Sequence, residues 1–292
     1  MKKQMLLTVG AAFGLLAVMV ALPVRQVDAQ GNTSQDFVPP IVFQAAGPTA
    51  DSIQSSVDAF RAALGEPNNG NTPGPLASGR REINWDGGGA DTTTAPVTPF
   101  DVFLNTRGGQ FTTPGTGLSQ APPAGGPQGG LAVLFDNPTY GMIFSTFSPL
   151  RLFTPVESNI TEAFFFVPGT NGGAPATVSG FGAVFTDVDR PDGSGPAKKR
   201  GNRRASTLIE YFGTTTDDDD DDDDDEKLLF SSFVPASPGD GSLSFFGIVF
   251  DDARIARVRI TSGNVAPGPN DDRKHDVVVM DDFIYGEPQP AD

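Results

Sequence analysis

No cysteine occurs among the 292 residues. A disulfide framework is therefore excluded, and with it a lipid-modified N-terminal cysteine. The chain has only one histidine, one tryptophan and three tyrosines. Zinc centres built from several His or Cys ligands do not fit that composition. A Ser–His–Asp site would have to use His275, which lies in the polar stretch NDDRKHD beside Asp276, and no GxSxG-type turn offers it a nucleophile. No catalytic residue is assigned, and the chain is read as a non-enzyme. Positive charge is also scarce: 20 Lys and Arg stand against 36 Asp and Glu, a net charge of −16. Such a surface repels nucleic acid and anionic membranes, so neither is expected as a partner. Beyond Leu22 no apolar run is long enough to span a bilayer.

What is present begins with an export signal. Lys2 and Lys3 precede the apolar run Met5–Leu22, and Val27-Asp28-Ala29 has the small residues of a cleavage site. Residues 1–29 are predicted to be a signal peptide, with an uncleaved membrane anchor as the alternative. The expected location is secreted or at the cell surface, with no transmembrane helix in the mature chain. Without disulfides the remaining ~263 residues must rely on their core, and that length suffices for one. The core is rich in phenylalanine, 23 residues against 3 Tyr and 1 Trp. Sugar-binding faces favour Trp and Tyr, whose rings carry a polar tip, so the imbalance reads as packing.

Ser179–Gly286 is the most regular stretch. Short β-like runs (SGFGAVFTDVD, STLIEYF, KLLFSSFVPA, SLSFFGIVF, ARIARVRITSG, HDVVVMDDFIYGE) alternate with Gly, Pro and Asp. In Arg254–Thr261 the period is two: Ala256, Val258 and Ile260 on one face, Ile255, Arg257 and Arg259 on the other. Ser242–Phe250 is apolar on both faces and is expected to lie centrally, covered on both sides. Further strands are predicted at PFDVFLN, GGQFTTPG, Leu131–Phe135, Tyr140–Phe147, Leu150–Phe153 and Ile160–Val167. One helix is predicted over Thr49–Leu64, where Ile53, Val57, Phe60 and Leu64 share a face and Gly65 follows as a stop. The expected fold is all-β, an antiparallel β-sandwich (jelly-roll-like) with one short N-terminal helix. Its organisation reads as a flexible leader over 30–47, the sandwich over 48–287 with a sub-boundary near 119–130 and a disordered acidic insertion at 214–226, and a tail at 288–292.

Taken in order, SIQSSVDAFRAALG, GRREINWDG, SGFGAVFTDVD, FFGIVFDDARIARVRITSG and VVVMDDFIYGE resemble a group of exported bacterial proteins of uncharacterised function. The C-terminal part is similar to jelly-roll modules of bacterial cell-surface and matrix proteins, some of which carry a Pro-Glu-Pro sorting signal and a membrane helix (the PEP-CTERM type). GEPQPAD is followed by no such helix, so that form of sorting is not expected here. The resemblance implies a sandwich fold and an extracellular location, and no activity.

Four features bear on binding. Asp187-Val-Asp-Arg-Pro-Asp-Gly resembles part of a calcium loop, because spaced carboxylates before a glycine can wrap a hard cation. Its alternative is a hydrophilic turn. If the strands from Gly180 onward alternate in direction, Asp187, Asp189, Asp192, Asp240, Asp271 and Asp272 gather at one end of the sandwich. The tract Asp217–Asp225 then falls at the other, as an insertion between two paired strands. The candidate metal ligands, for calcium, are Asp187, Asp189, Asp192, Asp271 and Asp272. Asp281 and Asp282 are candidate buried carboxylates, requiring a cation or an arginine (Arg257 or Arg259 if the last two strands pair). Trp85 is a candidate ligand contact, with a packed structural role as the alternative. The basic run Lys198–Arg204 reads as a solvated loop. The functional expectation is a secreted structural or adhesive module, calcium-stabilised, whose partners are extracellular polysaccharide or other surface proteins. A glycan-binding module and a carboxylate-pair glycoside hydrolase are the alternatives.

Overall fold

The computed structural model describes residues 38–89, 91–189, 207–214, 226–252 and 254–291. In chain order the elements are β1 (Ile41–Gly47), α1 (Ala50–Leu64), β2 (Arg80–Ile83), α2 (Leu104–Arg107), β3 (Gly109–Thr112), β4 (Gly117–Ala121), α3 (Gly130–Leu134), α4 (Tyr140–Ile143), β5 (Leu152–Val156), β6 (Ile160–Phe165), β7 (Ala176–Thr177), β8 (Gly180–Thr186), β9 (Leu208–Thr214), β10 (Glu226–Phe233), β11 (Leu243–Val249), β12 (Arg257–Thr261), β13 (Val279–Gly286) and β14 (Gln289–Pro290). The strands form an antiparallel sandwich. One sheet runs β1-β11-β8-β13-β5-β4 with β2 also on β13, and the other runs β10-β9-β12-β6-β3.

The inner faces of both sheets meet in a phenylalanine-rich core. Phe153, Phe181, Phe185, Phe246 and Phe283 come from the first sheet, Phe111, Phe165, Ile209, Val258 and Ile260 from the second. The first sheet is covered on its outer face too. Helix α1 lays Ile53, Val57, Phe60 and Leu64 over Val184, Phe245, Val249 and Ile284. That third layer explains why β8, β11 and β13 are buried at every position, while β12 alternates with only Val258 and Ile260 buried. The helix comes close because Gly182 and Gly247 lie under it. A Cβ at either would stand 2.8 or 2.9 Å from the Phe60 ring, tighter than packed carbon atoms allow.

Several expectations need correction. Residues 41–47 are no flexible leader: β1 pairs with β11 from Ile41↔Val249 to Gly47↔Leu243. The 119–130 stretch does not divide the chain, since β4 pairs with β5 and β3 with β6 across it. PFDVFLN is no strand: Phe100 makes only an isolated bridge to Phe111, and the run turns into α2. Leu131–Phe135 and Tyr140–Phe147 hold the helical turns α3 and α4. Both runs are short and apolar on all sides, a pattern that does not separate strand from buried helix. They pack with Ala121, Leu152, Val277 and Val279 at one edge of the first sheet. β12 and β13 lie in different sheets, so Arg257 and Arg259 cannot reach Asp281 or Asp282. They pair with Glu162 instead, and Arg257 also with Glu226.

Among the described residues no helix is long and apolar enough to cross a membrane. The Asp217–Asp225 tract, the Lys198–Arg204 run and the predicted signal peptide lie outside the described residues. The tract joins β9 to β10, whose facing ends pair at Glu226↔Thr214.

Candidate functional site

Two groups of acidic side chains stand out, one inside the body and one at an end. The inner one arises from a register shift in β13 between Met280 and Phe283, which sets Asp281 and Asp282 side by side. The two residues are 0 % and 3 % exposed. Asp281 accepts from the Phe147 N–H at 2.6 Å and from Ser148 Oγ at 3.2 Å. Ser148 Oγ also bonds to Asp282 Oδ1. Arg61, reaching from α1, stands 3.6 Å from Asp282 and 2.9 Å from Glu82. The arginine partner therefore comes from the helix over the sheet and not from a neighbouring strand. Burial pushes Asp281 well above the usual carboxylate range, and the charge of Asp282 adds to it. Burial raises Asp282 as well, offset by its bonds to Ser148 and Asp281 and by Arg61. Both shifts favour the protonated form, the direction expected for two adjoining carboxyls in a dry site.

A carboxyl with a raised folded-state pKa keeps a proton that the unfolded chain has released. Stability from this pair is therefore full below about pH 4 and falls as pH climbs toward the folded value. Asp281→Asn keeps an acceptor for Phe147 and gains a donor toward Asp282. Its stability relative to wild type should rise steadily from about pH 5 to about pH 8. Urea unfolding across that range measures the gap, and a gap independent of pH would mean that Asp281 titrates normally.

Trp85 sits against this pair, and its Nε1–H donates to the Asp281 carbonyl at 2.8 Å. The indole is fully buried, stacks on Phe153 at 3.8 Å and meets Phe100, Phe103, Phe111 and Phe283 edge-on. It offers no ring face to a ligand, which corrects its candidacy as a contact residue. Next to it, β2 holds Arg81, fully buried and bonded through Nε and Nη2 to Glu287 at 2.6 Å each.

The second group lies where β8 ends. Asp187 takes φ 69°, in the left-handed region that Asp tolerates, and its N–H bonds to Ser242 O. Asp189 Oδ1 accepts from the Gly239 N–H at 2.9 Å, and the Asp189 N–H donates to Asp276 Oδ1 at 3.2 Å. Asp271 Oδ1 accepts from the Val277 N–H. The loop carrying Asp271 is held by Tyr140, whose hydroxyl donates to Pro269 O and accepts from the Gly268 N–H. Asp187 is thus ringed by the loops before β11 and β13. Burial pushes its carboxyl up to about 9, and the charges of Asp271, Asp189, Asp240 and Asp276 all act in the same direction.

The structure brings Asp187, Asp189 and Asp271 into one electrostatic neighbourhood, together with Asp240 and Asp276. Asp276 stood out in the sequence only as the neighbour of His275. Asp272 turns elsewhere: it is exposed, accepts from the Lys274 and His275 N–H groups, which hold it below the usual carboxylate range, and stands 3.2 Å from His275 Nδ1. Asp192 lies outside the described residues. Of the partners of the inner pair, Ser148, Phe147, Arg61 and Glu82 carried no sequence signal, since the Ser148 and Phe147 contacts span more than a hundred residues.

No protein-family model matches the chain, and no curated protein or solved structure is significantly similar to it.

Proposed function

We propose that this chain is an exported, non-catalytic extracellular module with a structural or adhesive role, working among polysaccharide or other surface proteins. The observation that carries this reading is the use made of its buried ionisable groups. Arg81–Glu287 and the Asp281–Asp282–Ser148–Arg61 cluster each join segments far apart in the chain. They do the fastening that disulfides perform in other exported proteins. The charged leader, the apolar run and the small-residue cleavage site support export.

The alternatives draw less support. Glycan platforms present exposed rings, whereas no described aromatic side chain is exposed and the exposed large apolar ones are aliphatic or Met142. A glycosidase holds its two carboxyls ~5–9.5 Å apart around the substrate, whereas Asp281 and Asp282 are buried side by side and bonded to the same Ser148 hydroxyl inside the body.

Expression of the whole chain in a bacterial host tests the reading. The mature protein should begin at or near Gln30 and be recovered from the medium or the cell surface. Recovery of intact Met1 in the membrane fraction would contradict export. Association with isolated surface material should survive Asp281→Asn, and its loss would point to a working acid pair.

A further inference from the structure

We propose that the end of the sandwich around Asp187 binds one divalent cation, of the calcium class, through the Asp187 carboxylate with carbonyl oxygens and water, inside the negative field of Asp189, Asp240 and Asp271. The inference deepens the reading above and rests on it only for a supply of cation outside the cell. Its starting point is Asp187 itself. This side chain is 1 % exposed, and neither carboxyl oxygen has a hydrogen-bond partner among the described residues. A buried polar atom left unsatisfied is costly, and here two lie on one group. Among the described residues the charged groups that act on Asp187 are other aspartates, and none of them neutralises it. Protonating Asp187 would remove its own charge, yet it would leave both oxygens without a hydrogen-bond partner among the described residues. A cation relieves all of this at once.

The donor chemistry selects the ion. The neighbours are carboxylates, with exposed Asp240 at the rim, and hard oxygen donors suit Ca²⁺ rather than Zn²⁺ or copper. No three acidic or histidine side chains among the described residues already converge on one point. Carbonyl oxygens and water therefore complete the shell, as Ca²⁺ accepts and tetrahedral Zn²⁺ sites do not. Such a site belongs to the weak, extracellular range of roughly 10⁻⁴–10⁻³ M. The three loops that meet here are anchored by Asp189 to Gly239 and by Asp276 to Asp189, so binding tightens an existing junction.

The test is thermal unfolding of the mature protein in chelator, in CaCl₂, in MgCl₂ and in NaCl of matched ionic strength, with calorimetric titration of CaCl₂ for stoichiometry. Wild type should gain roughly 5 °C or more at a hundredfold excess of calcium over Kd, with one site per chain and little response to NaCl. Asp187→Asn is neutral and nearly isosteric; it should fold and lose the calcium response. Asp240→Asn, at an exposed position, should keep its stability in chelator and bind several-fold more weakly. Replacing Asp217–Asp225 with a short Gly-Asn turn should leave the response intact. A wild type without a calcium-specific shift, a shift that persists in Asp187→Asn, or one lost with the Asp tract would each overturn the site. Export and mature N-terminus are unaffected by any of these results, so failure of the site is distinguishable from failure of the extracellular reading.

Discussion

Removing Arg81 alone should destabilise the protein by ~3–5 kcal/mol, the cost of leaving a buried carboxylate without its partner. Arg81 is fully buried and bonds Glu287 through two parallel contacts of 2.6 Å. Its Nη1 also donates to the carbonyls of Gly70 and Thr72 at 2.8 Å. Glu287 in turn accepts from Asn69 Nδ2 and the Leu76 N–H. One ion pair thus fastens the loop before β2, β2 itself and the end of β13. Arg81→Met would strand Glu287 and two carbonyls together. The double variant Arg81→Met, Glu287→Leu should recover part of the loss, because an apolar pair carries no desolvation penalty. Urea unfolding of wild type, Arg81→Met, Glu287→Leu and the double variant gives the coupling directly. Additive losses would mean that the pair does not act as a unit.

Trp85→Ala should cost a comparable ~3–5 kcal/mol, the range for deleting a large buried aromatic ring. The cavity would open where Phe100, Phe111, Phe153 and Phe283 meet, between the two sheets, and the Asp281 carbonyl would lose its donor. Trp85→Phe keeps much of the ring packing and should cost less, with the lost hydrogen bond worth about 1 kcal/mol of that. Guanidinium unfolding orders the three proteins. If Trp85→Ala kept full stability but lost binding to surface polysaccharide, the glycan-binding reading would replace the structural one.

The sequence was readable where structure depends on local period. Val258 and Ile260 alternate with Arg257 and Arg259, and β12 buries them in that order. Ser242–Phe250 is apolar on both faces because α1 covers one side and the second sheet the other. Chain direction alone put Asp187, Asp189, Asp240, Asp271 and Asp272 at one end of the sandwich, but no three acidic side chains among the described residues converge on a point there, and Asp272 faces His275. What stayed hidden depends on partners far away in sequence. Ile41 and Val42 are exposed, and the face β1 turns to α1, Phe43 and Ala45, is only half-buried, so the strand has a weak period and is defined by its ladder to β11. Leu131–Phe135 has neither period, and its packing against Leu152 and Val277 decides for helix. Arg61 was visible as one residue of a packing helix, but nothing nearby in sequence indicated its reach to Asp282. The choice of Arg257 and Arg259 failed for the same reason: adjacent strands in the chain went to opposite sheets.

The account rests on a contrast between two buried carboxyl sites: the Asp281–Asp282 pair, bonded within the protein, and Asp187, neither of whose oxygens has a hydrogen-bond partner among the described residues. A crystal structure grown in calcium chloride tests that contrast most directly. The account predicts one peak of metal density at the end of β8, with Asp187 and neighbouring oxygens within 2.3–2.6 Å, roughly the calcium–oxygen distance. A well-ordered Asp187 hydrogen-bonded to a protein group, with no ion beside it in calcium-grown crystals, would contradict it.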